Sequence, residues 1–296
     1  MDEELEKSIM GFVKENLECE EELQEILAIS LIAVILLKGE RALQKLPTLL
    51  QSLRISYDDK TIKDQEKKKC MERSHHNYGV IYNDTCFKGY SILEEKHLLI
   101  DKKHDYETGL IKELVYSFLK ELRSFPPKHD EDFLEKRTGI SVCRRGIFDK
   151  EDHKTNEALE EALEEYETKQ AMEALFEFLD QKKLESSVVE KLYQERNANY
   201  LYIYSIYVHF LEQLMNDNIL KNTLLNPETE KDVKKGIYYY NTMMEDEGAF
   251  AKLNRLFQRL KEALEKNKVS DINKYTKLIQ QEIDNFNKKP KKYRLK

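Results

Sequence analysis

The segment ILAISLIAVILL, from Ile26 to Leu37, is apolar almost throughout and limits what the rest of the chain can fold into. It covers about a dozen residues, whereas a helix that crosses a membrane needs roughly 20 apolar residues. We therefore expect a buried helix and no membrane partner. A chain of 296 residues, of which 40% are apolar, can build a core large enough to cover such a helix.

The charge of the chain bounds its partners and its location. Charged residues make up 35% of the sequence, against roughly 25% in typical soluble proteins, which predicts many solvated helix faces. The formal net charge of -7 argues against nucleic acid as the main partner, because proteins that neutralise many phosphates carry a basic excess. The first residues, MDEELEKSIMGF, are acidic where a secretory signal would be basic, and the four cysteines form no C-x-x-C pair. We expect a cytoplasmic protein with reduced thiols.

Hydrophobic spacing predicts an α+β, mostly α-helical fold, with a small sheet packed on helices and then an all-helical C-terminal region. Apolar residues alternate in LRISYDDK, which predicts a strand at Leu53 to Tyr57. The segment RTGISVCRRGIF, residues 137 to 148, has two glycines and predicts a turn or short hairpin. Further strand candidates are YGVIY (Tyr78 to Tyr82), CFKGY (Cys86 to Tyr90) and HLLI (His97 to Ile100).

The remaining pattern is helical. Apolar residues recur at helical spacing from Thr108 to Leu122 and from Asn156 to about Leu184. The segment from Tyr200 to Leu214 is apolar nearly all round, which predicts the central helix of a C-terminal bundle. We place a domain boundary between these regions, with an α+β domain at residues 1–185 and a helical domain at residues 186–296.

The order of these elements resembles a known family. A helix, the strand RISYD, two more strands ending in LLID, the helix LIKELVYSFLKEL, a glycine-containing connection and the helix NEALEEALEEYETK follow one another. This order is similar to the core of the zincin metallopeptidases of the gluzincin type, over roughly Leu43 to Ala174. In that family one helix supplies two histidine ligands and a glutamate base for zinc, and a later helix supplies a glutamate ligand.

The resemblance assigns roles to five positions of this chain. Lys112 and Tyr116 stand at the histidine positions, Glu113 matches the general base, and either Glu157 or Glu161 matches the third ligand. A lysine ammonium has no lone pair, and a phenol with a pKa of about 10 binds a metal only after losing its proton. We therefore expect no metal, no cofactor and no hydrolysis, and a protein that binds another protein or a peptide. Lys112 could place its charge beside Glu157 or Glu161 where the metal would have been.

Two alternatives remain open at this point. The chain could be a helical interaction module unrelated to peptidases, or a metal-dependent hydrolase whose site is not recognised. In the first case the helix at residues 108–122 is an ordinary core helix. Its solvent face would then comprise Lys112, Glu113, Tyr116, Ser117 and Lys120.

Other candidate side chains are better explained without a site. The sequence places His75, His76, His104, His129 and His153 in loops or at element edges, where surface exposure is expected. His209 lies in an apolar helix and is predicted to be a core residue. Cys143 has neighbouring arginines but no assignable histidine partner. The tyrosine stripe Tyr200, Tyr204 and Tyr207 is predicted to be core.

Overall fold

The computed structural model of the chain describes residues 3–16, 21–45, 53–56, 80–88, 91–99, 110–129, 133–146, 153–183, 186–197 and 205–289. Between residues 53 and 99 this description covers the backbone of three strands. The chain divides into two compact units. The first unit comprises residues 1–122 and 168–203, and the second comprises residues 123–167 and 204–296.

Helices dominate both units, and the prediction of a mostly helical α+β fold is confirmed. In chain order the helices are α1 (Glu3–Asn16), α2 (Glu21–Lys38), α3 (Leu110–Arg123), α4 (Glu157–Lys182), α5 (Ser187–Asn197), α6 (Ser205–Leu214), α7 (Glu230–Met244), α8 (Ala249–Glu265) and α9 (Val269–Lys288). Short helical segments lie at residues 40–45 and at Asn218–Leu220, and the latter continues into a π-helical turn, Lys221–Leu225. The strands are β1 (Leu53–Ser56), β2 (Val80–Lys88), β3 (Ser91–Leu99), β4 (Ser124–His129), β5 (Phe133–Thr138), β6 (Ser141–Gly146) and β7 (His153–Thr155).

Helix α2 forms the core of the first unit, as its apolar sequence predicts. Its residues from Ile26 to Ile35 are all buried, together with apolar side chains of α1, α3 and α5. The buried hydroxyl of Ser30 donates a hydrogen bond of 2.7 Å to the carbonyl oxygen of Ile26, so this polar group is satisfied within the helix. None of the helices that the structure describes has both the length and the apolar character needed to cross a membrane.

The first sheet has the strand order β1-β3-β2. Strand β1 runs parallel to β3, and β3 pairs with β2 in the antiparallel sense, with Phe87 opposite Ile92 near the connection between them. Strand structure is confirmed at Leu53–Ser56 and at His97–Leu99. YGVIY and CFKGY were predicted as separate strands, but Val80–Tyr82 and Cys86–Lys88 belong to one strand, β2. The charge run at residues 58–69 lies outside the described residues.

The second sheet is antiparallel, with the order β4-β5-β6-β7. Gly139 has a φ of +50°, in the left-handed region, and forms with Ile140 the turn of the β5–β6 hairpin, which confirms the predicted hairpin. Sequence patterning did not predict β4, because it contains Pro126 and Pro127. A proline cannot donate to a strand ladder, so β4 lies at the edge of the sheet with a register shift at the prolines.

The core of the second unit is rich in aromatic side chains. Tyr207 on α6 is buried with its ring centroid 5.8 Å from that of Phe257, and Tyr240 stacks on Phe286 at 4.9 Å. The core role predicted for Tyr207 is confirmed, whereas the side chains of Tyr200 and Tyr204 lie outside the described residues. His209 is exposed beside Gln213, so its predicted place in the core is wrong. It lies on the solvent side of a helix that is not apolar all round.

The compact units do not follow each other along the chain. Helix α4 contributes residues up to Glu167 to the second unit and residues from Thr168 to the first. The division into domains at residues 1–185 and 186–296 stays a prediction about which parts fold on their own.

Candidate functional site

Helix α3 carries the positions that resemble the zincin histidines and base, and they lie in the first unit. The side chain of Lys112 is buried with 4% exposure, and Glu113 and Tyr116 are half-buried. The ammonium of Lys120 lies 5.9 Å from the centre of the Tyr116 ring. This face of α3 is therefore largely covered, and only Lys120 is exposed, contrary to the alternative interpretation in which these residues form a solvent face.

Helix α4 carries the two candidate third ligands, and they lie in the second unit. Glu157 accepts a hydrogen bond of 2.7 Å from Lys154 Nζ, and Glu161 accepts one of 2.7 Å from Lys261 Nζ on α8. Burial lowers the pKa of Lys261, but the hydrogen bond and charge of Glu161 outweigh burial and raise the pKa overall. Each glutamate thus has a lysine of the same unit as its counter-ion.

Glu157 and Glu161 therefore belong to a different compact unit from Lys112, Glu113 and Tyr116. Glu157 pairs with Lys154, and Glu161 pairs with Lys261. The sequence did not indicate either of these lysines as a partner. The pairing of Lys112 with either glutamate stays a prediction, as does the role of Glu113. The partnership of Glu161 with Lys261 could not be foreseen because it joins residues separated by 100 positions in the chain.

A buried ion cluster, which sequence reasoning missed, is the main electrostatic feature of the second unit. Arg123, at the end of α3, has a side chain that is only 1% exposed. Its Nε donates to Glu160 Oε1 at 2.7 Å, and its Nη1 donates to Glu167 Oε2 at 3.2 Å and to the carbonyl oxygen of Leu225 at 3.3 Å. The guanidinium thus joins α4 to the π-helical turn.

Glu160 also binds the β5–β6 turn. Its Oε2 accepts a hydrogen bond of 2.8 Å from the backbone N–H of Ile140, while Gly139 N–H donates to the Arg123 carbonyl oxygen at 3.1 Å. Asn156 donates from its side chain to the Ile140 carbonyl oxygen at 3.1 Å. A Cβ at position 139 would overlap the Glu160 carboxylate and the Arg123 guanidinium. Glycine is required there by both the positive φ and the close approach.

The electrostatics of this cluster indicate a structural role. Burial lowers the pKa of Arg123, but the charges of Glu160, Glu167 and Glu164 outweigh it and raise the pKa above its ordinary value. The guanidinium stays charged, and both oxygens of Glu160 accept hydrogen bonds from groups of the same unit. The spacing of Glu160, Glu164 and Glu167 on one helix face is the one sequence signal that could have indicated a buried cation partner.

Metal-binding groups are not assembled in the part of the chain that the structure describes. There, no three side chains of His, Cys, Asp or Glu come together as a metal site. His153 is exposed on β7, as expected, and Cys143 is half-buried on β6. The side chain of His129, and all of His75, His76 and His104, lie outside the described residues.

Comparisons with known proteins leave the family of this chain open. No family model matches the sequence, and neither the curated proteins nor the solved structures contain a match. The resemblance to zincins stays a prediction from the order of elements and motifs.

Proposed function

We propose that this protein binds another protein or a peptide and does not hydrolyse it. The proposal rests on the resemblance to a peptidase core whose zinc-binding positions carry other chemistry. Lys112 and Tyr116 stand where two neutral imidazoles would be needed, and neither an ammonium nor a neutral phenol can donate a lone pair as imidazole does.

One observation carries the proposal. Glu161, a candidate third ligand, is bound by Lys261 at 2.7 Å, and this lysine is held in its charged form. A metal ion at this carboxylate would have to displace a resident cation. The lysine thus neutralises the acid as the metal does in an active zincin, which supports binding without metal-dependent catalysis.

The experiment is a selection of peptides by the full-length chain. A random peptide library displayed on phage is passed over the immobilised protein in a chelating buffer, and the enriched peptides are synthesised and titrated by fluorescence anisotropy. We expect saturable binding that is unchanged by added zinc, and bound peptide that is recovered intact.

The control separates binding from metal chemistry. The same titration is repeated after dialysis against zinc and with a chain unfolded in urea. Saturable binding by the unfolded chain, or binding that requires the metal, would contradict the proposal. Failure to enrich any peptide would also count against it.

A further inference from the structure

The second sheet presents a row of charged side chains on one face. Lys128 on β4, Glu135 on β5 and Arg144 on β6 lie opposite one another in the strand register. Arg137 follows Glu135 by two residues and so lies on the same face of β5. Glu135 accepts hydrogen bonds of 2.8 Å from Arg137 and 2.9 Å from Arg144, which places one buried carboxylate between two guanidinium groups.

The row continues onto helix α7. Glu230, in the first turn of α7, binds Lys128 at 2.5 Å and lies 3.6 Å from Arg137. An alternating chain of charges thus crosses from the sheet to the helix. Lys128 and Arg144 are each 54% exposed, so their outer surfaces face water.

Helix α7 adds further cations on its exposed side. Lys231, Lys234 and Lys235 are exposed and precede Tyr238, a residue that is 73% exposed. These four positions recur at helical spacing and lie on one side of α7. Lys235 pairs with Asp232 at 3.1 Å, whereas within the described part of the chain no ion pair involves Lys231 or Lys234.

These side chains form what we call the basic surface. The basic surface comprises Lys128, Arg137, Arg144, Lys231, Lys234, Lys235 and the exposed Tyr238. The carboxylates that pair with its cations are Glu135, Asp232 and Glu230. The cations outnumber these carboxylates, although the whole chain has a net charge of -7. A positive region on an acidic protein is a local feature, and it attracts acidic groups selectively.

We infer that the basic surface binds an acidic segment of a protein partner, with aspartate and glutamate side chains on the cations and an apolar side chain against Tyr238. The inference rests on the proposed function and names the partner class for it. Ion pairs of exposed lysines contribute little to stability, so Lys128 can exchange its contact with Glu230 for one with a partner. Arg144 is 54% exposed and can reach a partner carboxylate while it keeps its hydrogen bond to the buried Glu135. The negative charge of the chain as a whole favours a short acidic peptide over a long polyanion such as nucleic acid.

The test titrates the full-length chain with a fluorescein-labelled oligo-glutamate peptide at low salt, followed by fluorescence anisotropy. The double variant Lys231→Glu with Lys234→Glu is compared with Lys274→Glu with Lys277→Glu. The control lysines are exposed on α9, have the same spacing and undergo the same change of charge. A neutral double variant, Lys231→Gln with Lys234→Gln, covers the case in which charge reversal disturbs folding, and thermal unfolding is recorded for every variant.

We expect the natural chain to bind the peptide and to lose affinity as salt is added. Reversal at Lys231 and Lys234 should weaken binding about tenfold, because each change removes an attraction and adds a repulsion. The α9 variant should change binding by less than about twofold. The neutral variant should fall between these two.

Each other outcome overturns a defined part of the account. The role of the basic surface is overturned if the oligo-glutamate peptide does not bind, or if the two charge-reversed variants lose affinity equally. The proposed function is not contradicted by either result. Tighter binding of an oligo-thymidylate of equal length, lost on reversal at Lys231 and Lys234, overturns the assignment to an acidic protein segment. Cleavage of the peptide, seen by mass spectrometry, overturns the proposed function itself.

Discussion

Arg123 donates a hydrogen bond of 2.7 Å from Nε to Glu160 Oε1, and both side chains are almost completely buried. The pair joins the end of α3 to the first half of α4, and the second oxygen of Glu160 holds the β5–β6 turn. Glu160 thus links the end of α3 to the β5–β6 turn within the second unit.

Replacing Arg123 by methionine should lower the free energy of unfolding by about 3 to 5 kcal/mol, because it leaves the buried carboxylates of Glu160 and Glu167 without their cation. Urea unfolding followed by circular dichroism measures the loss. The double variant Arg123→Met with Glu160→Gln keeps an acceptor for the Ile140 N–H and removes a buried charge, so it should be less destabilised than Arg123→Met alone. Purely additive losses would show that the two side chains are not coupled.

Two glycines with positive φ provide a matched comparison. Gly39 has a φ of +56° and open space around the position of a Cβ, whereas at Gly139 a Cβ would meet Glu160 and Arg123. Alanine at position 39 should cost about 1 kcal/mol of stability from the backbone alone, and alanine at position 139 at least about 3 kcal/mol. Thermal and urea unfolding of both variants test this. Equal losses of stability at the two positions would mean that the close approach of Glu160 and Arg123 to Gly139 does not add to the cost of a Cβ.

Glu135 predicts a dependence of stability on pH. Hydrogen bonds from Arg137, together with those from Arg144, outweigh burial and lower the pKa of Glu135 below its ordinary value. Its contribution is therefore complete above the pKa of the unfolded chain and is lost as pH falls through the lower pKa of the folded state. Glu135→Gln should cost about 1 kcal/mol at neutral pH, and the difference from the natural chain should shrink in acid. Urea midpoints across this range measure it, and a constant difference would contradict the assignment.

The resemblance to zincins predicts a gain of function. Histidines at positions 112 and 116 restore the family spacing and should create zinc affinity if the scaffold supplies a third ligand. Histidines at positions 116 and 120 have the same spacing on the same helix and are the control. We expect tighter zinc binding for the first pair by calorimetry, in variants shown to be folded. Equal affinities would count against the resemblance.

Sequence reasoning succeeded where structure is set by neighbours in the chain. The apolar run around Ile32 predicts the buried helix α2, and the glycines near residue 139 predict the hairpin, because both signals are local. His209 was misplaced because the exposed side of α6 is narrow and the helix looks apolar all round.

The contacts of the candidate site were harder to predict from the sequence. Arg123 and Glu160 are 37 residues apart, and Lys261 and Glu161 are 100 apart, so no local pattern pairs them. The sequence indicates which side chains carry charge. Which cation meets which carboxylate depends on how the helices pack, and that follows from the core.

The proposed function requires that the chain does not cleave the peptide that it binds. A peptide enriched in the selection is incubated with the natural protein and stoichiometric zinc, and its mass is followed over time. We expect the peptide to stay bound and intact. Cleavage that disappears in Glu113→Gln, but persists in Glu121→Gln on the same helix, would contradict it and identify an enzyme.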